Sequence, residues 1–327
     1  MSSSDTKDSV YDVIIVGAGP GGLAAALYAS RAEMKTLLLE KGLSGGQLNN
    51  TAWIEDYPGF INIDARELAQ KMEEHAKHFG TAVKTTGVSG VRKDGNLFQV
   101  ETDEGNFLSR TVILASGGRP NYLGCKGEKE FQKKGVSYCA ICDGPLPVFR
   151  NKPMVVVGGG DSALEEGLFL TKYASKIYLV HRRNEFRGAM ILQEQVRANP
   201  KIEPVLESVV DNIGGSDVVE WVNIRNVKTG AIRKVEVAGV FIFVGFKPNS
   251  DVVKDPIIKD ELDYIPTNQH MMTSIPGLFA IGDVRQQLTK QVTNAVGDGT
   301  TAAVAAEKYI HGTLDKAPLG LLAIQRK

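Results

Sequence analysis

Two cysteines separated by two residues are the most chemically distinctive feature of the sequence. Cys139 and Cys142 stand in the stretch SYCAICDGPLP, residues 137–147. Such a pair can bind a metal, close a small disulfide, or carry two electrons between dithiol and disulfide states. The pair alone does not separate these chemistries, so the elements on either side of it must decide.

The remaining ligand inventory argues against a metal. A structural zinc site needs four ligands, and the chain has only 3 cysteines and 5 histidines. Cys125 is single, and His75 and His78 lie in a stretch of mixed charge that predicts a solvated helix face. We therefore predict no metal site and interpret Cys125 as a packing residue. A purely structural disulfide is disfavoured because three cysteines in a chain of this length indicate a reducing compartment.

Composition limits the classes of partner. The 327 residues suffice for two domains, and 38 basic residues balance 38 acidic ones. Zero net charge gives no support to nucleic acid or an anionic membrane as partner. No apolar run approaches the roughly 20 residues that span a bilayer, and the first twelve residues lack the apolar core of a secretory signal. We predict a cytoplasmic protein with no nucleic-acid and no membrane partner.

The chain from Tyr11 predicts a strand, a glycine turn, a helix and a second strand. Gly17, Gly19 and Gly22 form the G-x-G-x-x-G pattern, which permits a tight turn, close approach of a pyrophosphate, and packing of helix on strand. The second strand, TLLLE, ends at Glu40, where an acid can bond a ribose hydroxyl. This unit is therefore predicted to bind a dinucleotide without a 2′-phosphate.

The same pattern recurs over residues 152–187. Gly158, Gly160 and Ala163 form G-x-G-x-x-A, an accepted variant. The second strand of this unit ends in His-Arg-Arg where the first unit has its acid.

The basic cluster of the second unit comprises His181, Arg182 and Arg183, with Arg187 close by. Guanidinium groups suit a 2′-phosphate because each offers a planar, permanently charged fork. The cluster therefore predicts NADP in preference to NAD. The alternative is a solvated patch of surface arginines.

A third motif indicates that the chain returns to its first domain. Residues 274–285, SIPGLFAIGDVR, predict a short strand followed by Gly282 and Asp283, and such an Asp can accept from a flavin ribityl hydroxyl. The small-residue helix that comes next either packs under a flavin ring or is an ordinary Ala-rich packing helix. Residues 115–121 and 244–250 are candidate hinge-like crossings.

These observations predict an α/β fold with two Rossmann-like nucleotide-binding domains of the FAD/NAD(P) type, the second inserted into the first. Residues 1–118 and 248–327 would form the FAD-binding domain. Residues 119–247 would form the NADPH-binding domain, which carries the cysteine pair.

Six ordered motifs resemble one family. GAGPGG, GGQL, CAICDG, GGGDSALEE, HRRNEFR and GLFAIGDVR are similar to those of low-molecular-weight thioredoxin reductases, which are class II pyridine nucleotide-disulfide oxidoreductases. The resemblance extends from Tyr11 to about Gly312. It implies FAD and NADPH as cofactors, a homodimer, and alternation of NADPH and the disulfide over one flavin face by rotation of the inserted domain.

The resemblance also implies the residues of each cofactor site. Those for FAD are Gly17, Gly19, Pro20, Gly21, Gly22, Glu40, Lys41, Gly45, Gly46, Gln47, Leu48, Asp56, Ala115, Ser116, Gly117, Gly282, Asp283, Lys290, Gln291 and Val292. Those for NADPH are Gly158, Gly160, Asp161, Ser162, Ala163, His181, Arg182, Arg183 and Arg187. Two positions depart from the family pattern: many relatives have Asn at position 56, and Arg-Gln-Ala where this chain has Lys-Gln-Val.

The family's catalytic roles fall on three residues. The resemblance implies that Cys142 lies nearest the flavin, that Cys139 attacks the disulfide of the protein substrate, and that Asp143 manages the proton of the departing thiolate. Asp143 could alternatively be a helix N-cap or a loop carboxylate. A cysteine pair at the start of a helix is also more acidic than free thiols, which favours the nucleophilic thiolate.

The predicted function is NADPH-dependent reduction of a thioredoxin-like protein disulfide through FAD and the Cys139–Cys142 pair. The alternatives are a flavin-dependent reductase of another dithiol protein, glutaredoxin-like or peroxiredoxin-like, and a ferredoxin-driven thioredoxin reductase. A flavoprotein that only senses nucleotides is a further, non-enzymatic alternative.

Overall fold

The computed structural model describes residues 10–50 and 53–314. The chain folds into two compact units. The first combines the described parts of Met1–Asn49, Tyr57–Arg119 and Lys247–Lys327, and the second consists of the described parts of Asn50–Asp56 together with Pro120–Phe246. Within the part of the chain that the structure describes, no helix combines the length and the apolar character needed to cross a membrane.

The helices are α1 (Pro20–Arg31), α2 (Ala65–His78), α3 (Ala140–Asp143), α4 (Asp161–Leu170), α5 (Met190–Ala198) and α6 (Val292–Ile310). The strands between residues 11 and 114 are β1 (Tyr11–Val16), β2 (Thr36–Glu40), β3 (Trp53–Ile54), β4 (Ile63–Asp64), β5 (Ala82–Thr85), β6 (Val88–Asp94), β7 (Leu97–Thr102) and β8 (Gly105–Leu114). The later strands are β9 (Gly118–Pro120), β10 (Val136–Ser137), β11 (Pro153–Gly158), β12 (Lys176–Val180), β13 (Ile202–Val205), β14 (Ser208–Gly214), β15 (Trp221–Asn226), β16 (Ile232–Glu236), β17 (Gly239–Phe243), β18 (Phe246–Pro248) and β19 (Leu278–Ala280).

The first unit is built on a sheet ordered β5-β2-β1-β8-β7-β6, with β19 also paired to β8. Strands β1, β2, β5, β8 and β19 run parallel, whereas β6 and β7 form antiparallel hairpins. The apolar run of β1 is buried on both faces, as expected for a central parallel strand. Val16 pairs with Leu39 and with Leu114. The residues that come directly after these three strands therefore meet at one edge of the sheet.

Helices α1 and α6 pack closely because both present small side chains. Ala25 and Ala29 on α1, and Ala302 and Ala306 on α6, are fully buried in one cluster. A Cβ placed on Gly299 would come closer than 3.0 Å to a backbone oxygen of α1, so a larger residue there would push the helices apart. The small-residue helix predicted from the sequence is thus α6, and it supports the helix that comes after the first glycine turn.

The second unit contains a parallel sheet ordered β10-β17-β11-β12-β13 and an antiparallel sheet ordered β14-β15-β16. Gly158 pairs with Phe243, and Val157 pairs with Val180. The glycine turn after β11 and the basic residues after β12 therefore lie at the same sheet edge. The predicted α/β class with parallel sheets is confirmed.

Candidate active site and cofactor sites

The cysteine pair forms a disulfide at the start of helix α3. Cys139 is the N-cap of α3, with extended backbone, and Cys142 lies inside the helix. Their sulfurs are bonded, and their Cα atoms are 5.4 Å apart. The backbone N–H of Cys142 donates to Sγ of Cys139 over 3.2 Å. An N–H directed at this sulfur would stabilise a thiolate once the disulfide is reduced.

Asp143 ends the same short helix. Its backbone N–H donates to the Cys139 carbonyl over 3.2 Å, and its carboxylate Oδ2 accepts from the Ser137 hydroxyl over 2.6 Å. The N-cap of α3 is Cys139, so the alternative that Asp143 caps this helix is wrong. The carboxylate is instead fixed, through Ser137, to the turn that carries the disulfide.

A buried carboxylate anchors the strand that precedes the pair. Glu128 is 4% exposed and accepts from the N–H groups of Leu123 and Gly124 and from the Tyr138 hydroxyl. Burial, reinforced by this bond to Glu128, raises the pKa of Tyr138. The tyrosine is therefore held as a neutral donor beside Cys139.

Cys125 lies in the same unit and packs against an apolar cluster. Burial, with a smaller contribution from Glu128, raises the pKa of its thiol to about 11. A thiol with that pKa is protonated near neutral pH and is a poor nucleophile. The interpretation of Cys125 as a packing residue is consistent with both observations.

The glycines of the first turn divide into two kinds. Gly17 has φ +106°, and a Cβ on it or on Gly22 would approach backbone oxygen closer than 3.0 Å. These two positions need glycine for the fold itself. Gly19, the N-cap of α1, has ordinary φ of −70°, and the nearest atom to an added Cβ there, in Gly46, is 4.0 Å away. Its open face is suited to close approach of a pyrophosphate.

Glu40 lies against this turn. Its carboxylate accepts from the Ala18 N–H over 2.9 Å and from the Gly42 N–H over 3.1 Å. A carboxylate has about four lone-pair positions, so it retains acceptor capacity for a ribose hydroxyl. Gly45 also contacts the turn, because its N–H donates to Ala18 O over 2.7 Å.

A second group of predicted flavin residues lies in, or is bonded to, the segment that follows strand β8. Gln47 donates from its side-chain amide to Gly118 O over 2.7 Å. Ser116 Oγ donates to Asn249 O over 2.9 Å, and the Asn249 amide donates back to Ser116 O over 2.8 Å. Asn249 was missed by sequence reasoning, because no local pattern marks an asparagine that clamps a loop far away in the chain.

The Gly282–Asp283 turn is held by residues that the sequence did not mark. Asp298 on α6 is 7% exposed and accepts from the Gly282 N–H over 3.0 Å and from Arg285 Nε over 2.8 Å. Burial raises the pKa of Asp283, and the nearby Lys290 opposes that rise. Lys290, Gln291 and Val292 lie at the N-terminus of α6. The Gly282–Asp283 turn and these three residues therefore lie near the N-terminal part of that helix.

Nearly all the predicted flavin residues lie in the first unit. Asp56 does not, because the segment Asn50–Asp56 belongs to the second compact unit. Burial raises the pKa of its carboxyl. The members brought together in the first unit are Gly17, Gly19, Pro20, Gly21, Gly22, Glu40, Lys41, Gly45, Gly46, Gln47, Leu48, Ala115, Ser116, Gly117, Gly282, Asp283, Lys290, Gln291 and Val292.

The second glycine turn, like the first, contains one glycine that the fold itself requires and one that faces open space. Gly158 has φ +152°, and a Cβ there would overlap the Phe243 carbonyl and the fully buried Ala163. Gly160, the N-cap of α4, has no atom within 4 Å of an added Cβ. Asp161 comes next and accepts from the Ala189 N–H over 2.6 Å, while Ser162 is exposed.

The three arginines of the basic cluster are exposed. Among the residues that the structure describes, Arg182, Arg183 and Arg187 make no ion pair with a carboxylate. The Arg187 backbone N–H donates to Gly159 O over 2.6 Å, which fixes this part of the cluster to the glycine turn. Their charges are therefore available to an anionic ligand beside Gly160.

His181 differs from its arginine neighbours. Its side chain is buried, 6% exposed, and its ring lies 5.7 Å from that of Phe186. A Cβ on Gly159 would overlap the imidazole, so the ring packs directly against the glycine turn. Burial, followed by repulsion from the three arginines, lowers the pKa of His181. It is a buried packing group, unlike the three exposed arginines.

Within residues 10–50 and 53–314, no three His, Cys, Asp or Glu side chains are grouped as metal ligands.

Comparison with known proteins gives consistent matches over most of the chain. The family model for pyridine nucleotide-disulphide oxidoreductases matches residues 11–299. Thioredoxin reductase from Listeria innocua is 42% identical over 307 residues, which cover 93% of this chain and 95% of that protein. Thioredoxin reductase from Bacillus subtilis is 41% identical over 306 residues, which cover 93% and 96% of the two chains.

A solved structure agrees with these matches. The crystal structure of thioredoxin reductase from Streptococcus pyogenes is 44% identical, covers 94% of this chain and 100% of its own, and has a TM-score of 0.90. The resemblance stated from the six motifs is confirmed, and so is the predicted oxidoreductase class. The chain belongs to the pyridine nucleotide-disulphide oxidoreductase family.

Proposed function

We propose that this protein is a thioredoxin reductase that moves electrons from NADPH, through FAD, to the Cys139–Cys142 disulfide and then to thioredoxin. One observation carries the proposal. The second unit holds a disulfide at the start of a helix, and it also presents exposed arginines beside an open glycine turn. Curated relatives of this length and similarity are named thioredoxin reductases. The domain assignment is part of the proposal, with FAD bound by residues 1–118 and 248–327, and NADPH by residues 119–247.

The residues of the first unit fit FAD. An open Gly19 leaves room for a pyrophosphate at the N-terminus of α1, where free N–H groups and the helix dipole favour phosphate. Glu40 has spare acceptor capacity for a ribose hydroxyl, and its negative charge would repel a 2′-phosphate. When bound, FAD supplies hydride acceptance and two-electron transfer to a disulfide.

The residues of the second unit fit NADPH, because they combine an open glycine turn with a cluster of positive charge. Gly160 leaves the N-terminus of α4 open in the same way. Arg182, Arg183 and Arg187 would hold the 2′-phosphate through charge-assisted, bidentate hydrogen bonds. This set gives the unit its preference for NADPH over NADH.

The cysteines would exchange the electrons with the partner by thiol–disulfide chemistry. After reduction, the Cys139 thiolate attacks the partner disulfide, which forms a Cys139–partner bond and breaks the partner's S–S bond. The Cys142 thiolate then attacks Cys139 Sγ, which restores the internal disulfide and frees the second partner sulfur. Asp143 supplies the proton to the departing thiolate. The overall reaction is NADPH + H⁺ + protein disulfide → NADP⁺ + protein dithiol.

The setting of the reaction is also part of the proposal. We propose a cytoplasmic homodimer, and the zero formal charge of the chain supports the absence of nucleic-acid and anionic-membrane partners. Analytical ultracentrifugation of the purified flavoprotein tests the dimer, and a monomeric sedimentation coefficient at micromolar concentration would contradict it.

Trapping the partner tests the function. In Cys142→Ser, Cys139 can still attack a disulfide, but the mixed disulfide cannot resolve. We expect this variant, once its Cys139 thiol is free, to capture oxidised thioredoxin as a covalent complex that a reducing agent releases. The matched variant Cys139→Ser should capture none. A wild-type enzyme that turns over NADPH but leaves thioredoxin oxidised, with no complex formed by Cys142→Ser, would contradict the proposal.

A further inference from the structure

We propose that Ser137 is a positioning residue for the exchange reaction, and that it acts through Asp143. This inference rests on the proposed function, because Asp143 is there the group that protonates the departing thiolate. Ser137 precedes the first cysteine by two residues and is 4% exposed. Its place is fixed by the parallel pairing of β10 with β17, in which Ser137 lies opposite Phe241.

The Ser137 hydroxyl connects two parts of the redox turn. Its Oγ accepts from the Cys139 N–H over 3.1 Å, and it lies 2.6 Å from Asp143 Oδ2 and 3.2 Å from the Cys139 carbonyl oxygen. A hydroxyl has one proton to donate and two lone pairs. The hydroxyl can therefore donate its single proton either to the Asp143 carboxylate or to the Cys139 carbonyl.

Distance and charge both favour the carboxylate. Hydrogen bonds from a hydroxyl to a carboxylate are typically 2.5–2.7 Å long and about twice as strong as neutral ones. The contact to Asp143 lies in this range at 2.6 Å, whereas that to the carbonyl is 3.2 Å. The result is a relay in which Cys139 N–H donates to Ser137, and Ser137 donates to Asp143.

This relay has a consequence for proton transfer. Once Asp143 has taken up a proton from water and Cys142 displaces the partner from Cys139, the partner sulfur leaves as a thiolate and takes that proton from the carboxyl. Asp143 is then ionised until water reprotonates it. The Ser137 hydrogen bond is strongest to that ionised form, so it favours proton release. It also fixes the carboxylate relative to the Cys139 backbone, since the side chain of Asp143 stands at the end of a four-residue helix.

A double-mutant cycle on the flavin-loaded enzyme separates this role from a merely structural one. Ser137→Ala removes the hydroxyl, Asp143→Asn removes the proton-carrying group, and the cycle combines them. We expect Ser137→Ala to lower kcat for thioredoxin reduction about tenfold, as for loss of a hydrogen bond to a charged group, with KM for NADPH unchanged. In the Asp143→Asn background the same substitution should change kcat by less than about twofold.

Ser208 provides the matched control. It is also a buried serine of the second unit, 4% exposed, and its hydroxyl donates to the Leu206 carbonyl over 2.8 Å. Ser208→Ala should leave kcat unchanged. Ser137→Gly serves as a second variant without the hydroxyl, should Ser137→Ala fold poorly, and NADPH-driven bleaching of the flavin verifies folding of each protein.

Two outcomes would overturn the role of Ser137. One is an equal loss of kcat on Ser137→Ala in the wild-type and Asp143→Asn backgrounds, and the other is no loss at all. Failure of the wild-type enzyme to reduce thioredoxin would instead contradict the proposed function. The cycle would then be run with a small aromatic disulfide as substrate, and additivity there would equally overturn the inference.

Discussion

The two glycine turns of this molecule share a backbone design and differ in the residues that come after the second strand. In each turn one glycine adopts positive φ against a neighbouring carbonyl, and another, at the helix N-cap, faces open space. At the end of β2 the first unit has Glu40, bonded to its own glycine turn. After β12 the second unit has a buried histidine and three exposed arginines. In the proposed function, each of these two helix starts binds the phosphates of one cofactor, and the residues at the end of the second strand distinguish NADPH from FAD.

The largest effect should come from disturbing the shared backbone design. A Cβ in Gly22→Ala would approach the Gly17 carbonyl closer than 3.0 Å, which forces the helix away from the strand. We expect a loss of about 3 kcal/mol in the free energy of unfolding, with failure to retain FAD. Urea denaturation of the variant and of Gly297→Ala, a helix position with open space, measures the difference. Equal stability of the two variants would contradict the packing argument.

The next effect concerns the arginines. Replacing both in Arg182→Ala/Arg183→Ala should lower kcat/KM for NADPH about 100-fold, since two charge-assisted contacts to the 2′-phosphate are lost. The value for NADH should stay within about twofold, because NADH lacks that phosphate. Steady-state kinetics with both coenzymes measure the ratio. Arg225→Ala, which removes an arginine already paired with Asp211, is the control, and a similar loss in that variant would remove the distinction.

Substituting the two open glycines, Gly19 and Gly160, should have a smaller effect, and each substitution should weaken the binding of a different cofactor. Neither Gly19→Ala nor Gly160→Ala meets an atom closer than 4.0 Å, so both proteins should keep wild-type unfolding free energies to within about 1 kcal/mol. Each added methyl instead occupies the space of a pyrophosphate. We expect about tenfold weaker FAD binding in Gly19→Ala alone, and about tenfold weaker NADPH binding in Gly160→Ala alone, both by fluorescence titration. A variant that weakens both nucleotides equally would break the assignment of one turn to each.

The smallest effect concerns the pH dependence of stability that the buried His181 causes. The pKa of His181 is lowered from the ordinary 6.5 by burial and by the three arginines. Below pH 6.5 the unfolded chain therefore binds a proton that the folded chain resists, and stability falls as pH falls toward the folded pKa. His181→Phe should reduce this slope by at most about 1.4 kcal/mol per pH unit. An unchanged slope in His181→Phe would contradict the burial argument.

Much of this arrangement could be predicted because its signals are local. Strand β2 covers the predicted stretch TLLLE, Thr36–Glu40, and α6 occupies the predicted small-residue helix. Positive φ at Gly17 and Gly158 was implicit in the two glycine patterns. Each of these features depends on residues within one strand, turn or helix, so spacing alone identifies it.

The features missed from the sequence depend on contacts between distant segments or on side-chain direction. Asn249 clamps the Ser116 loop from far along the chain, and Asp298 holds the Gly282 turn from the next helix. Ser137 is close to the cysteines in sequence, but its bond to Asp143 depends on the direction of the two side chains, which residue spacing does not specify. The burial of His181 against Gly159 likewise emerged only from packing.

The central claim is that NADPH bound by the second unit reduces the flavin and that the electrons leave through the Cys139–Cys142 pair to thioredoxin. Anaerobic stopped-flow mixing of the flavoprotein with equal concentrations of NADPH or NADH, followed by oxidised thioredoxin, tests it most directly. We predict that flavin absorbance bleaches at least about tenfold faster with NADPH, as for loss of charge-assisted contacts to the 2′-phosphate, and that thioredoxin thiols then appear as the flavin recovers. Equal bleaching by both coenzymes, or flavin recovery without thioredoxin thiols, would contradict this claim.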